Sequence, residues 1–137
     1  MSGSVQIQDW LTLTGVAAAT SSVKLLPHRD LWLWIGDAPG AVVMTEIVDL
    51  SGGTTKPALV IETAVSEDGP WTAVATYNTV GATVNPLYLK RNPADSGSQH
   101  MAGFLRWAVI EGADTTDPDP VAWVLCFRIT AILEPGQ

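Results

Sequence analysis

The chain has 137 residues, a formal net charge of −7 and a charged fraction of 15%, against about 25% in an average soluble domain. This length suits one domain with its own core, and seven scattered Lys and Arg are too few to follow a phosphate backbone, so nucleic acid is not expected as a partner. No apolar run approaches the ~18 residues of a membrane span and no basic stretch leads into one, so neither a membrane anchor nor a secretory leader is expected.

In chain order, period-two alternation predicts strands at Val5 to Leu13, Leu31 to Ile35, Ala41 to Leu50, Ala58 to Val65, Thr72 to Thr79, Leu87 to Lys90, Phe104 to Glu111 and Ala122 to Leu133. Helical spacing is broken by Gly, Pro or Thr before it reaches a useful length, and Ala17 to Ala19 fits either a brief helix or an irregular link. The separators are turn-formers: Asp37-Ala38-Pro39-Gly40, Ser51-Gly52-Gly53, Glu67-Asp68-Gly69-Pro70, Asn92-Pro93 with Ser96-Gly97-Ser98, and Asp117-Pro118-Asp119-Pro120. Ala58 to Tyr77 is the best hairpin, with Gly69 placed to supply a positive φ.

The expected fold is therefore all-β: a single antiparallel β-sandwich over residues 1–137, jelly-roll or immunoglobulin-like, of about eight strands. Residues 1–20 are expected to form an arm that contacts a neighbour. In the last strand Trp123, Leu125, Phe127, Ile129, Ala131 and Leu133 share one face, which makes it central to the core. Trp107 shares an apolar face with Leu105 and Val109, and Cys126 reads as a small buried hydrophobe. So little charge beside 47% hydrophobic residues leaves a small subunit with more apolar surface than it can hide, so other subunits are expected to cover the rest and a homo-oligomer is the expected state.

Catalytic templates find no match: there is no G-x-S-x-G, H-E-x-x-H, P-loop or dinucleotide fingerprint, and the single Cys126 has no partner for a disulfide or a thiolate metal site. No catalytic residue, cofactor or metal is expected. His28 and His100 read as surface or packing residues. Asp114, Asp117 and Asp119 lack EF-hand spacing and read as a solvated turn stiffened by Pro118 and Pro120, while Glu62 with Glu46 or Glu111 is a carboxylate pair whose separation the sequence does not give. Six Trp residues leave more than a core needs, and Trp10, Trp32 and Trp34 are the candidate interface residues. Trp32 and Trp34 fall on one side of a predicted strand, where they would pack in the core or, if that face is open, serve a protein contact or, in the alternative reading of a carbohydrate-binding module, a sugar platform.

The segments ALVIETAVSEDGPWTAVATY (Ala58 to Tyr77), FLRWAVIEG (Phe104 to Gly112) and CFRITAIL (Cys126 to Leu133) carry a cadence of strand, S-x-DG-x-W hairpin, aromatic-Arg strand and closing strand. In this the chain resembles small β-sandwich virion proteins of tailed bacteriophages and phage-like particles, over roughly Ala58 to Leu133. The resemblance implies a non-catalytic structural subunit of the virion, made in the host cytoplasm, that decorates or stabilises the capsid by contacts with the major capsid protein or other particle proteins. A tail or baseplate component is the alternative within the same class.

Overall fold

The computed structural model describes residues 3–16, 23–36, 38–51, 57–77, 83–91, 99–111 and 122–134. Among them are ten strands: β1 (Gly3–Val16), β2 (Val23–Leu25), β3 (Leu33–Trp34), β4 (Gly40–Ser51), β5 (Ala58–Ala64), β6 (Thr72–Tyr77), β7 (Thr83–Lys90), β8 (Gln99–His100), β9 (Phe104–Glu111) and β10 (Ala122–Leu133). No helix among the described residues is long and apolar enough to cross a membrane.

Two sheets form. Sheet A runs β1-β10-β4-β7-β8; sheet B runs β2-β9-β5-β6, with β3 also pairing with β9. Pairing is antiparallel throughout except between β7 and the two-residue β8. Because β2 and β3 lie along the same edge of β9, they act as one interrupted strand. With β8 set aside as an edge addition, eight strands remain, ordered first-eighth-third-sixth in one sheet and second-seventh-fourth-fifth in the other. That order is the jelly roll, and it decides against the immunoglobulin-like alternative.

The core lies between the sheets where alternation places it. Trp123, Leu125, Phe127, Ile129 and Ala131 of β10 are fully buried and face Leu105, Trp107 and Val109 of β9 and Leu59 and Ile61 of β5 in one cluster. Trp107 meets Phe127 edge to face across the sandwich, with ring centroids 5.2 Å apart. Its indole N–H donates to Gln8 Oε1 at 3.0 Å, which stitches β9 to β1 on the opposite sheet. Each fully buried side chain of this size contributes about 1.5–3 kcal/mol relative to exposure.

Four details depart from the sequence reading. The predicted strand Leu31 to Ile35 shrinks to Leu33–Trp34, since Arg29–Leu31 form a 3-10 turn capped by the His28 ring, which accepts from the Asp30 N–H at 3.2 Å. Leu31, within that turn, is exposed. Val23–Leu25 and Gln99–His100 are short strands that three- and two-residue runs could not announce. Cys126 is half-buried on the outer face of sheet A, not in the core, because it has the outward parity of β10.

The predicted hairpin is present as β5–β6. Gly69 in its turn has φ +84, and a Cβ there would stand 2.9 Å from Trp71 Cδ1. Gly69→Ala is therefore expected to lower stability by about 1–2 kcal/mol, measured as a shift in urea midpoint at unchanged m-value.

Candidate functional site

The outer faces of the two sheets differ in kind. On sheet B the central outward residues of adjacent strands β5 and β9, namely Val60, Glu62, Arg106 and Ala108, are themselves buried. Glu62 and Arg106 stand directly opposite in the register and pair through Arg106 Nε and Glu62 Oε1 at 2.9 Å. Lys24 of β2 closes on the other carboxylate oxygen at 2.7 Å. The Arg106 guanidinium lies 3.9 Å from the Trp71 ring centroid and 4.6 Å from that of Trp32, and the two indoles meet edge to face at 5.1 Å. Arg29, also over Trp32, pairs with Glu67 at 3.1 Å and Asp68 at 2.9 Å in the β5–β6 turn. This cluster fastens the β2–β3 connection and the hairpin turn to the back of sheet B.

On sheet A the outward residues are more open and include several apolar side chains. Ile132 of β10, Val42 of β4 and Tyr88 of β7 stand in one row across three strands, with Thr130, Met44 and Pro86 in the next. Tyr88 is 54% and Ile132 40% exposed. A third row holds Arg128 and Glu46, which are ion-paired to each other, with Trp10 of β1 4.7 Å from the Arg128 guanidinium. Val48, the extra residue at a bulge in β4, is exposed beyond it. The ion pair in the third row neutralises itself, and Asp49 lies exposed in register with Cys126 one row further on.

A third feature lies where the β5–β6 turn, β8 and the start of β9 converge. Two shallow depressions of about 290 and about 320 Å3 adjoin there and share Val65, His100 and Ala102. Trp34 and Arg91 border the larger. Trp34 is 58% exposed, and its ring rests against Gly103, where a Cβ would stand 2.6 Å from Trp34 Cζ3. It also tilts onto Phe104, with centroids 4.9 Å apart.

The three candidate tryptophans thus fall in three places. Trp10 is on the open face of sheet A, Trp32 on the Arg106 cluster, and Trp34 at the groove, so Trp32 and Trp34 do not form one platform. Trp71 joins Trp32. Glu62 and Glu46 lie on opposite outer faces, each paired with an arginine, so they make no carboxylate pair. The side chain of Glu111, and Asp114, Asp117 and Asp119, lie outside the described residues. His28 caps the 3-10 turn, whereas His100 lines the groove. Residues 3–16, expected within an arm, form the edge strand β1 along β10. The Arg106–Glu62 pair was missed, although single charges inside FLRWAVI and ALVIETA are a visible signal of buried pairing.

No protein-family model matches the sequence, and no curated protein does. Among solved structures the fold is similar to a chain in the structure of infectious bursal disease virus, Gx strain. That match has 12% identity and a TM-score of 0.52, and covers 100% of this chain and 32% of that one. The infectious bursal disease virus VP2 subviral particle matches at 15% identity and TM-score 0.49, over 98% of this chain and 32% of that chain. A Bacillus endospore appendage, described as a disulfide-linked pilus, matches at 15% identity and TM-score 0.39, covering 98% and 92%. The chain spans about a third of the length of the two viral chains, and at these identities the likeness is one of fold.

Proposed function

We propose that this jelly roll is a non-catalytic structural subunit of a viral or virus-like particle, packing against further copies of itself through the outer face of sheet A. The observation that carries the reading is the outer face of sheet A, where the exposed Ile132 and Tyr88 flank Val42 in one row and Trp10 and Val48 lie exposed near the Arg128–Glu46 ion pair. Leaving such a face in water forfeits about 25 cal/mol per Å2 of apolar area that a neighbour would recover. The fold shared with a chain from a virus structure supports the class, and within that class the hairpin and aromatic-Arg cadence supports a capsid-decorating or capsid-stabilising protein of the tailed-phage kind. Repetition on a shell multiplies a weak contact, because a subunit held at several edges dissociates only when all are released.

The test is the mass of the purified chain by light scattering. Wild type is expected to form a defined oligomer, and Tyr88→Lys combined with Ile132→Lys to remain a folded monomer whose thermal midpoint does not depend on protein concentration, since both side chains are already exposed. A wild-type monomer at concentrations up to about 100 µM would overturn self-association through this face.

A further inference from the structure

We infer that the groove between Trp34 and His100 is a binding site for a carboxylate-bearing saccharide, with the sugar ring on the Trp34 indole and its carboxylate on Arg91. The platform is built, not incidental. Backbone pairing of Trp34 with Phe104 and the Ile35 N–H bond to Gly103 O at 3.0 Å fix the main chain. Gly103 leaves room for the indole to pack against the chain just before β9, and Trp34 is still 58% exposed. An aromatic face fixed in this way offers its negative quadrupole to the C–H groups on one side of a pyranose.

The charge of the groove sets the ligand class. The chain carries 14 acidic against 7 basic residues, yet the ionisable side chains bordering the two depressions are Arg91 and His100, with no carboxylate among the described ones. Arg91 is held by Nε donating to Ala38 O at 2.8 Å and Nη2 donating to Gly36 O. Two of its five N–H groups are so used, and the other three have no partner among the described residues. A guanidinium fixed by its own backbone contacts is suited to a carboxylate, and the exposed imidazole of His100 can exchange hydrogen bonds with ring hydroxyls.

The size of the depressions bounds the ligand. Volumes of about 290 and 320 Å3 sit at the low end for ligand sites, enough for one sugar residue each. None of these groups belongs to the sheet A face, so this site and the assembly reading stand or fall separately.

The experiment is saturation-transfer NMR and titration of the purified chain with sialyllactose and a glucuronic-acid disaccharide, against lactose and an acidic hexapeptide. One or both acidic sugars are expected to bind with a Kd below about 10 mM and at least tenfold tighter than lactose. Trp34→Ala, Gly103→Ala and Arg91→Lys should each weaken that binding about tenfold or more. Trp34→Ala should leave the thermal midpoint unchanged, because the ring is mostly exposed. Equal binding of lactose, acidic-sugar binding that survives Trp34→Ala, binding of the peptide alone, or no binding by any probe would each overturn the assignment.

Discussion

Trp123→Ala is expected to leave the domain largely unfolded at 25 °C, or to fold it with about 3–5 kcal/mol less stability. The indole is fully buried near the start of β10, the strand that pairs with both β1 and β4 and so holds sheet A together. A methyl group in its place removes the transfer energy of the ring and leaves a void, because the neighbouring strands are pinned by their ladders and cannot close on it. Small domains hold only about 5–15 kcal/mol in total, so this one change can consume most of it. Urea unfolding monitored by far-ultraviolet dichroism measures it, with Trp123→Phe expected to lose less than half as much. A loss under about 1 kcal/mol for the alanine variant would place the centre of the core elsewhere.

Arg106→Ala is expected to cost about 3–5 kcal/mol. Arg106 and Glu62 are each about 6% exposed, and removal of the guanidinium leaves a buried carboxylate facing Lys24 alone, a residue whose side chain is 42% exposed. The same change strips Trp32 and Trp71 of the cation that both rings contact. Replacing both charges, as Glu62→Gln with Arg106→Met, is expected to cost less than the sum of the same two changes made singly, because the double change leaves no buried ion unpaired and Lys24 is part-exposed to water. The double-mutant cycle in urea measures the coupling, and strictly additive losses would show that the pair is not what holds the hairpin turn and the β2–β3 connection to sheet B.

Most of the fold was legible because the long strands are buried on a period of two. β10 carries its inward set on consecutive odd positions, and β4, β5 and β9 are bounded by turn residues. Strand order was not legible, since nothing local tells β10 to pair with β1 and β4. The segment from His28 to Trp34 misled for a physical reason. Leu31-Trp32-Leu33-Trp34 alternates like a strand, but the His28 ring caps a turn, and the ion pairs of Arg29 with Glu67 and Asp68 belong to a hairpin nearly 40 residues away. Parity alone decided the fate of Cys126, which its apolar surroundings in the sequence concealed.

The candidate sites were legible only in part. Trp10, Trp32 and Trp34 were singled out as a surplus of indole, but what each one does depends on long-range neighbours: Arg128, Arg106 and Gly103 respectively. The open row on sheet A comes from three strands separated by 40 residues or more, so no window of sequence contains it.

Cys126 provides the most direct measurement of whether that face is buried on assembly. Its half-buried thiol stands on the outer side of β10, in register with Thr12 and Asp49, and it is the single cysteine of the chain. The rate of its alkylation by iodoacetamide is to be followed in the wild-type protein as concentration rises through the association range. The rate should fall several-fold as oligomer replaces monomer; the same rate in both states would contradict assembly through sheet A.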